Sequence, residues 1–252
     1  MDLDRRTFLQ GLGGTAVSAA AWGLPSDADA ARGAPAEFQA RDLLASLSGD
    51  QRATVAFPWD HVDGDRGLLR SRVSANWNVT KPSVDSDFYT RDQRALVRAI
   101  WLDLVDPAWH ERYERKQIDD AGAWDRHTSI AFFGDPGTGP FQFVMTGRHL
   151  TLRAGAQADP AVAFGGPVFY GHATGTWWSG SFVERAHHPG NVFFHQAVAA
   201  TKLFDLLDGE QRKASLVQEV PDEHDISFSR PGARRGLDLT RLSMDQLEEA
   251  ER

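Results

Sequence analysis

Cysteine is absent from the 252-residue chain. That removes disulfides, thiolate nucleophiles and sulfur metal sites together, so any metal ion has to be held by His, Asp, Glu, backbone or water. A basic excess is missing too. Lys and Arg number 27 against 35 Asp and Glu, a formal charge of −8, and basic groups such as Arg234-Arg235 are too short to track a phosphate backbone. The balance argues against nucleic acid as a partner. Familiar catalytic templates are lacking as well. There is no His-Glu-x-x-His, and no Gly-x-Ser-x-Gly elbow; Ser179-Gly180-Ser181 lacks the strand–turn–helix setting that a serine nucleophile needs. The glycines of Gly134–Gly139 precede no Gly-Lys-Ser/Thr, so they read as a turn and not as a phosphate loop.

The N-terminus is the most specific stretch. Arg5-Arg6 stand ahead of Phe8-Leu9 and a weakly hydrophobic Gly/Ala run, and Ala28-Asp29-Ala30 supplies small residues at two cleavage-site positions. Asp4 to Leu9 is similar to a twin-arginine export motif. The run is too short and too rich in glycine for a stable membrane span. Residues 1–30 are thus expected to be a signal peptide read by the twin-arginine translocation machinery. The remainder is expected to be periplasmic or extracellular, still acidic and without a membrane span.

Residues 31–46 read as a lead-in, its first part small, polar and Pro-containing, and residues 47–252 as a single domain. LSGDQR (47–52), TRDQR (90–94), LDGEQR (207–212) and LSMDQL (242–247) share one pattern, a Ser, Thr or Asp three residues before Gln. That is the spacing of a helix capping box, with Ser48, Thr90, Asp208 and Ser243 as N-caps, and the recurrence suggests internal duplication. After Thr90, Leu96, Val97, Ile100, Trp101, Leu104 and Val105 form a helical stripe. A shorter charged helix, holding Asp119-Asp120, follows Pro107; these carboxylates read as exposed. Residues 129–155 then carry apolar runs around the 134–140 turn and Gly147, an antiparallel hairpin or meander, and the segment around Phe169 adds a short strand. Helical period returns from Asn191 to Leu207. The expectation is α+β, with helices bracketing an antiparallel sheet, as the first part of an internally duplicated fold.

Leu47 to Arg52, Phe133 to Pro136, Gly147 to Leu152 and Gly165 to His172 together resemble, in this order, the motifs of the bacterial domain-of-unknown-function 3500 family, over roughly residues 45–250. Many members have Gly-His-His where this chain has Gly147-Arg148-His149, so no role passes to the first of those histidines. The resemblance implies a chain lacking the final part of the family fold, and it brings no known activity.

Five of the nine histidines, His149, His172, His187, His188 and His195, fall within 47 residues. Imidazole suits Zn, Cu and Fe, and two or three His with a carboxylate make an open catalytic site; Glu184 is a candidate carboxylate. The leading expectation is an exported metal-dependent enzyme with these five as ligands. The alternative is a non-enzymatic exported protein that binds a small organic anion or sugar. Its pocket would use Arg148 and His149 with Phe169, Tyr170, Trp177 and Trp178, because aromatic faces stack on sugar rings and arginine forks onto carboxylates.

Overall fold

The computed structural model describes residues 35–155, 168–172, 191–217 and 236–252. Its first helix, α1 (Pro35–Ser46), starts on a proline, whose fixed φ suits the first helical position, and buries Ala36, Ala40, Leu43 and Leu44 at helical spacing. The core therefore begins inside the segment expected to be a lead-in. Helix α2 (Gly49–Val55) follows from the Ser48 cap and runs into β1 (Ala56–Phe57). A two-stranded antiparallel ribbon, β2 (Val62–Asp63) with β3 (Gly67–Leu68), precedes α3 (Arg91–Asp103) and α4 (His110–Ala121). Then come β4 (Ser129–Gly134), β5 (Phe141–Gly147), β6 (Leu150–Ala154) and β7 (Phe169–Tyr170), followed by α5 (Phe194–Leu206), α6 (Gly209–Ser215) and α7 (Met244–Glu251). The class is α+β, with helices flanking the sheet.

The main sheet has the order β1-β4-β5-β6-β7. Strands β4 to β7 pair antiparallel, as the apolar runs predict. The sheet is nevertheless mixed and not wholly antiparallel, because β1 lies parallel to β4. A parallel neighbour needs a long crossover, and residues 58–128, carrying α3 and α4, supply it. With only two residues, β1 has no period to announce itself.

Both faces of the sheet are buried. Ile130, Phe132, Phe143, Met145 and Leu152 meet the α1 and α3 residues Leu43, Val97, Ile100 and Trp101 on one side. Ala131, Phe133 and Val144 meet Leu69, Trp77 and Val79 on the other. The second face also pairs its polar groups: Trp77 Nε1 donates to Thr151 Oγ1 at 2.9 Å and the Val79 amide to Thr146 Oγ1 at 2.9 Å. At the β4–β5 turn, Gly134 has φ +76°, and a Cβ there would sit 1.9 Å from the Pro140 carbonyl oxygen. Only glycine fits.

All four capping boxes form, and their glutamines pair. Gln51 Nε2 donates to Gln93 Oε1 at 2.9 Å and Gln93 Nε2 to Gln51 Oε1 at 3.0 Å. Gln211 and Gln246 make the same reciprocal exchange at 2.9 and 2.8 Å. Arg52 donates to the Leu47 and Ala45 carbonyls at the end of α1, and Arg212 to the Phe204 and Asp205 carbonyls at the end of α5. The trio α1–α2–α3 and the trio α5–α6–α7 are thus built on one plan. They differ in burial. Among the described residues α1 is half sunk in the core, whereas α5 buries no residue fully and leaves Leu206 at 49% exposure.

Candidate functional site

Helix α4 carries the key side chains. On its inner face Tyr113, Lys116, Gln117 and Asp120 follow the i, i+3, i+4, i+7 spacing of a helix stripe, and Lys116, Gln117 and Asp120 are buried. A stripe made of polar groups is costly unless each finds a partner. The partners come from the β5–β6 turn and from the residues just after β7.

Gly147 pairs with Leu150, so Arg148 and His149 form a two-residue hairpin loop, and His149 takes φ +52°, an uncommon left-handed value. Three contacts hold it there. The His149 amide donates to the Ala75 carbonyl at 2.6 Å, and its own carbonyl accepts from the Gly171 amide at 3.1 Å and from Lys116 Nζ at 2.9 Å. Lys116 Nζ also reaches the Arg148 carbonyl at 3.3 Å and the Gln117 side-chain oxygen. The lysine therefore pins the turn that presents His149.

His149 Nδ1 lies 2.8 Å from Asp120 Oδ2, and His172 Nδ1 lies 2.9 Å from Asp120 Oδ1. Lys116 Nζ stands 3.7 Å from Oδ2. Burial alone would raise the Asp120 carboxyl, but the two imidazole hydrogen bonds and the Lys116 charge together hold it well below the usual carboxylate range. Burial pushes the Lys116 ammonium down to about 8, against the raising effect of Asp120 and with a further lowering by Arg148. An ionised carboxylate only accepts, so both Nδ1 atoms donate, and in its neutral form each ring keeps its lone pair on Nε2. The His149 side chain is 21% exposed and that of His172 only 5%.

Beside this cluster the Tyr170 ring packs between Tyr113, at 6.0 Å, and Phe193, at 5.0 Å, and its hydroxyl accepts from Gln196 Nε2 at 3.0 Å. Burial, and secondarily Tyr170, pushes the Tyr113 hydroxyl above its ordinary range. Arg148 keeps its Nε buried and without a hydrogen-bond partner.

Of the five candidate ligands, His149 and His172 converge, and they do so on a carboxylate. His195 belongs elsewhere: its ring stacks on Trp109 with centroids 3.9 Å apart and planes at 17°. His187, His188, Glu184, Trp177 and Trp178 lie outside the described residues. Among the described residues no group of three or more His, Asp and Glu side chains is set to hold a metal ion. Sequence reasoning missed Lys116 and Asp120. The Asp119-Asp120 pair reads as solvated, yet only Asp119 is outward, paired with Arg115 at 3.2 Å, while Asp120 turns inward. The helical spacing from Tyr113 to Asp120 was the signal that could have separated them.

No helix among the described residues is long and apolar enough to cross a membrane. No family model, curated protein or solved structure matches the chain.

Proposed function

We propose that the protein is an exported enzyme that performs acid–base chemistry on a small organic anion, with its centre at Asp120, His149 and His172. The observation that carries this reading is the single buried carboxylate that takes the Nδ1 protons of two imidazoles. It leaves two Nε2 lone pairs as bases, with His149 the more accessible. When either Nε2 takes up a proton, Asp120 stabilises the imidazolium. The charges favour an anionic substrate: Lys116 and Arg148 against Asp120 leave the cluster net positive, and the Arg148 guanidinium, whose Nε lacks a partner, suits a carboxylate. Tyr170 offers an aromatic wall beside it.

A second reading, a divalent metal centre holding Zn, Cu or Fe, is favoured by one specific feature. An Nδ1–H hydrogen-bonded to a carboxylate is the support that metal-ligating histidines usually have. His149 and His172 would supply two nitrogens, and a metal would need further ligands beyond them. A centre that binds the anion without turning it over corresponds to the non-enzymatic binding protein.

Protein purified without a His tag, analysed for metal and titrated with acetate while imidazole ¹⁵N shifts are followed, separates these readings. Acid–base chemistry on an anion predicts a metal-free protein in which acetate moves the His149 Nε2 signal, and Arg148→Gln removes the response. Near-stoichiometric metal, lost in the His149→Ala, His172→Ala double variant, would establish the metal centre instead. Export is proposed from the Arg5-Arg6 motif and the Ala28-x-Ala30 site. In a bacterium with a working twin-arginine pathway, replacing both arginines by lysine should leave the uncut precursor inside; unchanged export would refute it. Membership of the domain-of-unknown-function 3500 family is likewise a proposal, and its support is the ordered set of motifs between residues 47 and 172.

A further inference from the structure

A second cluster lies where α4 meets the first turn of α5. A cavity of about 430 Å³ opens there, lined by Arg112, Asn191, Phe194, His195, Val198, Ala199 and Lys202. That volume is within the range of small-molecule sites. Its wall has two characters. Phe194, Val198 and Ala199 form an apolar strip along α5, and Phe194 and Val198 remain 36% and 39% exposed. Arg112 and Lys202 supply positive charge from separate helices, and among the described residues neither is in an ion pair. No carboxylate is among the described lining residues.

Arg112 is held by an aromatic ring. The Arg112 guanidinium lies over the Trp109 ring at 4.8 Å, and the same indole carries His195 stacked at 3.9 Å. One tryptophan thus contacts both an arginine and an imidazole of the lining. The His195 Nδ1 is buried and has no partner. A proton on Nδ1 would be a buried donor without an acceptor, so the tautomer with the proton on Nε2 costs less and offers that atom as a donor. Phe193 stands at the N-cap of α5 and makes no side-chain cap, and a helix start adds partial positive charge.

We propose that this cavity is a binding site for an amphiphilic organic anion, separate from the Asp120 centre. The anionic head is held between Arg112 and Lys202 with His195 Nε2–H as a third donor, and the apolar part lies on Phe194 and Val198. In this assignment His195 is a fixed donor in an anion pocket.

Isothermal titration with phenyl phosphate, with phenol as the uncharged control, tests the assignment on the whole chain. Phenyl phosphate should bind at this site, weaken with salt, and outcompete phenol by up to about tenfold, as two partly exposed charge contacts allow. Arg112→Gln with Lys202→Gln should abolish the preference for the phosphate ester. These are exposed positions, so circular dichroism should be unchanged. Phe194→Ala should weaken binding while keeping that preference. The Arg148→Gln, His149→Ala variant should bind phenyl phosphate as the parent does, which keeps failure here distinct from failure at the Asp120 centre. Binding that survives Arg112→Gln/Lys202→Gln, is lost in Arg148→Gln/His149→Ala, or is undetectable at millimolar ligand would overturn the proposal.

Discussion

Replacing Asp120 by Asn changes one oxygen for an amide nitrogen and removes one charge. In the native site the carboxylate accepts from two imidazoles at 2.8 and 2.9 Å and faces Lys116 at 3.7 Å, with its own side chain 2% exposed and that of Lys116 1%. The asparagine can accept through one oxygen, while its amide N–H groups point at an Nδ1–H that also donates. Lys116 is then a buried ammonium without its counter-charge. Removing one partner of a buried ion pair costs about 3–5 kcal/mol, a large part of a total stability of roughly 5–15 kcal/mol. For a domain of this size that corresponds to a fall in Tm on the order of 10 °C. Thermal unfolding by circular dichroism and calorimetry measures it. Lys116→Met in the Asp120→Asn background should recover part of the loss, because it removes the orphaned charge, and the double-mutant cycle should give a coupling of about 1–3 kcal/mol. A fall of less than about 2 °C for Asp120→Asn, or strict additivity with Lys116→Met, would refute the reasoning.

The same pair sets a pH dependence on both sides of neutrality. The depressed Asp120 carboxyl contributes stability that is complete above the unfolded value of about 3.9 and is lost as pH falls from there towards the lowered folded value. The Lys116 ammonium, lowered from 10.5 to about 8, releases its proton in the fold while the unfolded chain still binds it. Stability relative to Lys116→Met should therefore rise from about pH 8 to pH 10.5, and a flat difference in urea unfolding would contradict the placement. Gly134→Ala should destabilise by roughly 3 kcal/mol or more, since its Cβ meets the Pro140 oxygen at a positive φ. Gly139→Ala in the same turn, with nothing within 4 Å of the added Cβ, should stay within about 0.5 kcal/mol; equal effects would count against the turn geometry. Gln93→Ala should cost about 2 kcal/mol by removing a cap partner and the exchange with Gln51, which keeps its bonds to the Phe88 carbonyl and the Ser48 amide, and in denaturant melts a Gln51→Ala, Gln93→Ala pair that behaves additively would argue against the reciprocal bond.

What could be read in advance follows from where the physics is local. The capping boxes at Ser48, Thr90, Asp208 and Ser243 depend on four consecutive residues, so the pattern is visible in the chain; that Gln51 finds Gln93 and Gln211 finds Gln246 depends on packing and is not. The β4–β5–β6 meander announces itself through its turn glycines and apolar runs. Strand β1 does not, because two residues carry no alternation and its partner lies 76 positions away. The α1 segment hides its role for another reason: proline and alanine suit a flexible leader and a helix start equally well, and only the contact with α3 decides. At the site, His149 and His172 stand out by residue type. Asp120 does not, since a carboxylate in a helix rich in Glu, Arg and Lys is solvated by default, and its burial follows from the crossover that brings α4 over the β5–β6 turn. His195 is close to the other histidines in sequence, and Trp109 draws it away in space.

The central claim is that Asp120 orients two imidazoles with their Nε2 atoms free to act. Long-range ¹H–¹⁵N correlation of the histidine rings, recorded where both are neutral, tests it most directly. In their neutral forms both His149 and His172 should appear as Nδ1–H tautomers, and both should lose that tautomer bias in Asp120→Asn. Nε2–H tautomers at either ring, or spectra unchanged by Asp120→Asn, would contradict the account.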